Sequence, residues 1–115
     1  MPTTPDHKAK ADQNEFFVST LGNPFWDWAV AGTFYAALHY VEAYLATKKI
    51  HSPSHPVRDS HIQKDSTLKM IYKDYRELKD ESRAARYDVM PFTQDDVKRL
   101  QGNLAAVKKI VAPFI

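Results

Sequence analysis

The chain has 115 residues, no cysteine, and 16 basic against 14 acidic side chains, which gives a formal net charge of +2. This length fits one domain with a buried core and is too short for two, so we expect a single domain over residues 1–115. The absence of cysteine excludes disulfides, a thiol nucleophile and zinc–thiolate sites, and the near-balanced charge is not typical of a dedicated nucleic-acid binder. Because Met1–Asn14 is polar and does not resemble a signal peptide, we expect a cytoplasmic protein.

The first predicted helix begins at Thr4-Pro5-Asp6, with threonine as the cap, proline in the first turn and an acid near the positive end of the helix dipole. Residues 1–13 are mostly polar, so this part of the helix is expected to fray. Gly22-Asn23-Pro24 then ends the helix and turns the chain into the next one.

The longest apolar run, Phe25–Ala46, predicts a central helix of about six turns that is buried nearly all round. Small residues at helical spacing, such as Gly32, would let a neighbouring helix approach closely. Asp27 and Glu42 leave an uncharged centre shorter than the ~18 residues of a membrane-spanning helix, so no membrane contact is expected. Buried histidines usually form a hydrogen bond, and we expect this structural role for His39.

A loop is predicted over residues 50–57, because Pro53 and Pro56 cannot both lie inside a helix. A dense polar cluster lies in and after this loop: His51, His55, Arg58, Asp59 and His61. The prolines disrupt the i, i+4 spacing that two metal ligands on a helix would use, so no metal site and no cofactor are expected. Phosphate contact through Arg58 is favoured over metal binding, with His61 one turn later on a short helix over residues 58–64.

Two further amphipathic helices follow. The first, over residues 67–86, begins after a cap at Asp65 or Ser66, and the second begins after a Thr93 cap and is limited by Pro113. Between them, the segment Arg83–Asp88 contains Arg83, Arg86, Tyr87 and Asp88. These side chains either fix the end of the helix or line a binding groove, and the sequence leaves both roles open.

The sum is an all-α chain with four main helices and one short helix. Short connections between the outer pairs imply antiparallel neighbours, so the predicted architecture is an antiparallel four-helix bundle with an additional short helix.

Three segments in this order resemble the HEPN family. Phe34–Ala43 is similar to the central-helix signature of that family, and Ser54–Arg58 is similar to its following loop. Arg83–Asp88, followed by Phe92-Thr93 and an amphipathic helix, resembles the "arginine, spacer, aspartate–tyrosine–aspartate" segment of small prokaryotic HEPN proteins, with Arg86 in place of the first acid. The resemblance covers roughly residues 25–111.

The resemblance implies a helical bundle that forms a homodimer. Many HEPN proteins are ribonucleases of toxin–antitoxin and defence systems, often paired with a small nucleotidyltransferase, and others are non-catalytic. In the nuclease members an arginine holds the scissile phosphate. A histidine, placed after a spacer of four to six residues, assists attack by the ribose 2′-hydroxyl without a metal.

This chain departs from the nuclease motif. After Arg58 the histidine positions hold Gln63, Lys64 and Asp65, and after Arg83 they hold Asp88, Val89 and Met90. His61 follows Arg58 too closely to match. Without that pair the proton-transfer group of the family is missing, so its activity cannot be carried over.

The leading hypothesis is therefore a non-catalytic, homodimeric HEPN-type binding module that contacts a nucleotide, RNA or a protein partner. Its candidate contact residues are His55, Arg58, His61, Arg83, Arg86, Tyr87 and Asp88. The alternatives are a divergent metal-independent ribonuclease of toxin–antitoxin type that uses Arg58 and His61, and a structural partner subunit for a nucleotidyltransferase. Fold alone cannot choose between them.

Overall fold

Five α-helices and two short 3₁₀-helices account for most of the chain in the computed structural model, which describes residues 1–89 and 91–115. The α-helices are α1 (Thr4–Ser19), α2 (Trp26–Thr47), α3 (His55–Lys64), α4 (Tyr72–Tyr87) and α5 (Gln94–Val111). The 3₁₀-helices are Leu68–Ile71 and Ala112–Phe114, and the described residues form no strand. The predicted all-α class is confirmed. Met90, one of the positions after Arg83 where the nuclease motif would place a histidine, is outside the described residues.

Helix α2 is the centre of the fold. It packs against α1, α4 and α5, and α4 and α5 also pack against each other. Fifteen of its residues are buried, as expected for a helix that is apolar nearly all round. The radius of gyration is 13.5 Å, close to the ~13 Å expected of a compact domain of this length. Within the described residues, no helix combines the length and apolar character that a membrane crossing requires.

Helices α1 and α2 approach closely at Gly32, as the small side chain predicts. A Cβ atom added to Gly32 would lie 2.7 Å from Cγ2 of Val18 on α1. Near the other end of α1, the Thr4 hydroxyl donates to the backbone carbonyl of Ala43 at 2.9 Å. Contact between a side chain of α1 and the backbone of α2 is available only where the intervening side chains are small.

The start of α1 differs from the prediction. Thr3, not Thr4, caps the helix, because Thr3 stands three residues before Asp6 and the two form a reciprocal capping box. The segment that was expected to fray is helical from Thr4 onward and buries His7 and Ala11. Apart from Thr4 and His7, the polar residues of this segment are exposed, so its mean polarity concealed the buried positions.

Helix α3 also begins earlier than predicted, at His55 rather than at Arg58. Ser54 is its cap, with its hydroxyl accepting from the Val57 N–H at 3.4 Å. Pro56 lies in the first turn, where the missing N–H has no intrahelical partner to lose. The predicted loop therefore ends at Ser54.

The helix predicted over residues 67–86 begins as the 3₁₀ turn Leu68–Ile71 and continues as α4 only from Tyr72, whereas α5 matches its prediction. Asp65 accepts from the N–H groups of Thr67 and Leu68 at 2.8 and 3.0 Å, so it caps the 3₁₀ turn that leads into α4. Thr93 caps α5 in a capping box with Asp96. The predicted apolar stripe of α5 is buried throughout: Val97, Leu100, Leu104, Val107 and Val111.

Candidate functional site

A basic cleft of about 380 Å³ lies between the start of α3 and the C-terminal half of α4. Its lining residues are His55, Arg76, Lys79, Asp80, Arg83, Arg86 and Tyr87. Four of these were candidate contact residues from the sequence alone. The structure therefore brings the loop candidate His55 together with the candidates at the end of α4.

Helix periodicity explains why the cations share one surface. Arg76, Lys79, Arg83 and Arg86 follow one another at intervals of three or four residues, which places them on one face of α4. Asp80 approaches Arg76 at 3.4 Å, and Asp59 binds the ammonium group of Lys79 at 2.5 Å. Four cations thus face two carboxylates, which leaves a local excess of two positive charges, as large as the formal charge of the whole chain.

Arg83 is the cation of the cleft that is available to a ligand. Its side chain is exposed, and no ion pair within residues 1–89 and 91–115 involves it. An exposed guanidinium without an internal carboxylate can offer its planar fork to a carboxylate or phosphate.

Arg86 is held in place by its neighbours. Its guanidinium donates to the Tyr35 hydroxyl at 2.6 Å and to the Ser82 carbonyl at 3.2 Å. It also lies over the Tyr87 ring, 5.1 Å from the centroid. Tyr87 itself is 73% exposed. The end of α4 therefore presents an oriented arginine beside an open aromatic face.

His55 forms the α3 side of the cleft and is half-buried. Its Nδ1 lies 3.1 Å from the Nη1 of Arg58, and since arginine only donates, this nitrogen is the acceptor. Burial, together with the positive charges of Arg58, Lys79 and Arg86, lowers the pKa of His55. The imidazole is accordingly neutral at pH 7.

Arg58 belongs to the interior and does not line the cleft. It is 7% exposed, and its Nε donates to the Glu42 carboxylate at 2.7 Å. Its other terminal nitrogen reaches the Ser52 carbonyl at 3.5 Å. A buried arginine that is satisfied by a carboxylate on another helix is a structural ion pair, and breaking it would leave an unpaired buried charge.

The two remaining candidates lie outside the cleft. His61 lines a separate, shallow pocket of about 200 Å³ that also includes Lys48, Lys64 and Asp65. Asp88 is the exposed residue that ends α4, where its N–H donates to the Ala84 carbonyl at 2.9 Å. The structure thus separates His61 from the basic cleft and gives Asp88 a role in the helix end.

Sequence reasoning missed Arg76, Lys79 and Glu42. The signal for Arg76 and Lys79 was present, because they continue the helical spacing of Arg83 and Arg86 toward the start of α4. No local sequence pattern identifies Glu42 as a buried ion-pair partner, because Arg58 lies 16 residues away on another helix.

A second cleft, of about 250 Å³, lies between α1, α2 and α5. Val18, Thr33 and Leu104 contribute to its lining, and the Lys108–Glu15 ion pair, at 2.9 Å, lies at its edge. Its one cation is already neutralised by a carboxylate, so it offers no surplus charge. The basic cleft on α4 is the better candidate for a specific polar ligand.

Comparisons of the chain with protein-family models, with curated proteins and with solved structures find no match. Function must therefore be argued from the geometry of the site.

Proposed function

We propose that this chain is a non-catalytic binding module of HEPN type whose basic cleft holds a phosphate-bearing ligand, a nucleotide or single-stranded RNA. The observation that carries the proposal is the arrangement of Arg83 and Arg86 on one face of α4, beside the exposed Tyr87. The neighbouring cleft along α4 also combines two cations with a tyrosine, but its three carboxylates, Glu77, Asp80 and Glu81, outnumber Lys73 and Arg76.

The chemistry of the lining favours a phosphate with an attached base. Guanidinium groups match the paired oxygens of phosphate in bidentate geometry. An exposed tyrosine ring offers a stacking surface for a base, and such stacking contributes about 1–3 kcal/mol per base in single-strand binders. The neutral His55 adds a hydrogen-bonding group without adding charge. A protein partner with an acidic segment would use the same cations but would not need the aromatic face.

The runner-up is a metal-independent ribonuclease. The sequence assigns this activity to Arg58 and His61. In the structure, however, Arg58 is bound to Glu42 in the interior, and His61 lies in a pocket separate from the basic cleft. The histidine that lies with the arginines of α4 is His55. A nuclease built on this fold would therefore use His55 as its proton-transfer group.

Binding is tested by fluorescence anisotropy with a labelled single-stranded RNA, and with a labelled nucleotide in parallel. Replacing Arg83 and Arg86 by alanine should weaken binding at least about 100-fold, since two charge-assisted hydrogen bonds of about 1.5–3 kcal/mol each are lost. The matched control is Lys98→Ala with Lys109→Ala, which removes the same charge from exposed positions on α5. Equal weakening in both double variants would show that binding is non-specific electrostatic attraction, which would contradict the proposal.

Cleavage is followed in the same samples, with a chelator present. The binding-module proposal expects intact RNA in the wild type. Chelator-resistant cleavage that is lost in His55→Ala, and retained in His61→Ala, would replace it with the nuclease. Loss in His61→Ala alone would restore the original Arg58–His61 form of that alternative.

The proposal includes the finer architecture implied by the HEPN resemblance, an antiparallel four-helix bundle of α1, α2, α4 and α5 that forms a homodimer. Exposed aromatic side chains at the junction of α1 and α2 support a dimer surface there: Phe16 at 71%, Phe17 at 47%, Phe25 at 51% and Trp28 at 55% exposure. Such residues are enriched in interfaces.

Sedimentation equilibrium tests the dimer. The wild type should sediment at twice the chain mass, and Trp28→Glu should sediment as a monomer with its helical content unchanged. A monomeric wild type would remove the homodimer. A chain that binds neither RNA nor nucleotide would instead support the third hypothesis, a structural subunit for a nucleotidyltransferase.

A further inference from the structure

A second group of polar side chains lies beneath the start of α1, away from the basic cleft. It consists of His7 on α1, Glu42 on α2 and His51 in the loop before α3. One ligand atom from each of these three residues lies within 4.8 Å of the other two. Three separate parts of the chain therefore converge on one point.

Glu42 is the unusual member of this group. It is 2% exposed, and its Oε1 accepts from Arg58 at 2.7 Å, while its Oε2 is buried with no hydrogen-bond partner in the described chain. A buried carboxylate oxygen without a partner carries a desolvation cost that most proteins avoid. A ligand that binds this oxygen would remove the cost.

His7 is already oriented for coordination. It is 7% exposed, and its Nδ1 lies 3.1 Å from the Nδ1 of His39. One of these two nitrogens must donate, and the tautomer in which His7 donates leaves its Nε2 with a free lone pair. A histidine ligand whose other N–H is held by an outer partner is the usual arrangement in metal sites.

We propose that His7, Glu42 and His51 form a zinc site that fastens the start of α1 to α2 and to the loop before α3. Two imidazoles and one carboxylate are a known ligand set for Zn²⁺, with the fourth position open to water. Arg58 holds Oε1, so Glu42 binds through Oε2 alone.

The geometry requires one small adjustment. Zinc bonds of about 2.0–2.1 Å place tetrahedral ligand atoms roughly 3.3 Å apart. The three ligand atoms of His7, Glu42 and His51 lie within 4.8 Å of one another, so they must move somewhat closer. His51 is exposed and belongs to a loop, so its side chain can rotate toward the buried His7 and Glu42. The exposure of His51 also leaves the open coordination position near solvent.

The test is calorimetric titration of the EDTA-treated, dialysed full chain with Zn²⁺. The expected result is saturable binding of one ion, at least 10-fold weaker in His51→Ala and unchanged in the control His61→Ala. Because His51 is exposed, its replacement leaves the core intact, whereas Glu42→Gln would leave the buried Arg58 without its counter-charge and confound folding with binding. A thermal shift with Zn²⁺ should follow the same order among the variants.

Cobalt provides an independent readout. Co²⁺ bound to two imidazoles and a carboxylate should show the visible d–d absorption of a tetrahedral ion in the wild type and in His61→Ala, and should lose it in His51→Ala. Absence of zinc binding in the wild type would overturn the site. Equal zinc affinity in His51→Ala, or equal loss in His61→Ala, would overturn it as well.

Discussion

At the scale of single residues, Lys49 ends the central helix in a backbone conformation that L-residues disfavour. Its φ is +58°, and the N–H of Ile50 donates to the carbonyl of Leu45 at 3.0 Å. This pattern is the Schellman arrangement, whose left-handed position is usually glycine. The chain carries a lysine there, so the helix end stores avoidable strain.

Replacing Lys49 by glycine should therefore stabilise the fold. The left-handed conformation costs a non-glycine residue about 1–2 kcal/mol, and glycine loses roughly 0.5–1 kcal/mol in backbone entropy. We expect a gain of about 0.5–1 kcal/mol in the free energy of unfolding, measured by urea denaturation. Lys48→Gly is the control, because Lys48 has a negative φ and should lose stability. A destabilised Lys49→Gly would contradict the assignment of strain.

The His7–His39 pair makes stability dependent on pH. Burial is the main cause that lowers both pKa values, and for His39 the neighbouring charges of His7, Lys10 and Arg58 lower it further, against the attraction of Glu42. A folded-state pKa of about 4, against 6.5 in the unfolded chain, means that the unfolded chain binds more protons between these values. The stability that the fold gains by keeping His39 neutral is therefore complete above pH 6.5 and is lost as the pH falls toward 4.

We expect the free energy of unfolding to fall between pH 7 and pH 5, with His39 contributing roughly 1 kcal/mol of the fall after allowance for its partial exposure. In His39→Gln that fall should be smaller, while His61→Gln should behave as the wild type. The measurement is the urea midpoint at both pH values in metal-free buffer. An unchanged pH dependence in His39→Gln would show that the pair does not carry it.

The burial of Arg58 could not be predicted from the sequence. Its position directly after the predicted loop and its neighbouring histidines fit a phosphate contact, because an arginine beside an open loop is usually exposed. Its burial depends on Glu42 of α2, and no spacing rule links the two. By contrast, Arg83 and Arg86 could be identified from the sequence, since their cleft is built mainly from one helix whose periodicity is known.

At the scale of elements, the contact between α1 and α2 depends on one missing side chain. Gly32→Leu should lower the free energy of unfolding by about 1–3 kcal/mol or more, because even its Cβ would overlap Val18. The matched control is Gly102→Ala in α5, where nothing lies within 4 Å of an added Cβ and helix propensity should add about 0.5–1 kcal/mol. A cooperative melt of Gly32→Leu unchanged from wild type would refute the close approach.

The helices themselves could be predicted where sequence signals are local. The apolar run of α2 and the Thr93 cap of α5 both depend on neighbouring residues and were confirmed. The start of α4 lies five residues after the predicted one, since Leu68–Ile71 is a 3₁₀ turn. The starts of α1 and α3 were wrong by one and three residues. In each case two neighbouring sequence signals disagree. Thr3 and Thr4 are both possible caps of α1. At α3, Ser54 indicates a helix start, whereas Pro56 is a residue that usually interrupts helices. Side-chain geometry decides such cases.

At the scale of the whole molecule, the even distribution of charge in the composition hides a local excess. The chain as a whole has little net charge, and most acids lie where they neutralise a nearby cation, as Glu77 does for Arg99. The C-terminal half of α4 is different, because its arginines outnumber the carboxylates around the cleft. Composition argues against a dedicated nucleic-acid surface, yet it cannot exclude a small basic cleft.

The location of ligand binding tests this account most directly. Amide chemical shifts of the ¹⁵N-labelled chain would be followed by NMR during titration with a short single-stranded RNA. The account predicts that the largest changes fall on residues 76–87 of α4 and on His55, with little change around His61. Changes concentrated on α5, on the pocket of His61, or spread evenly over all basic residues would contradict the central claim that the basic cleft is the binding site.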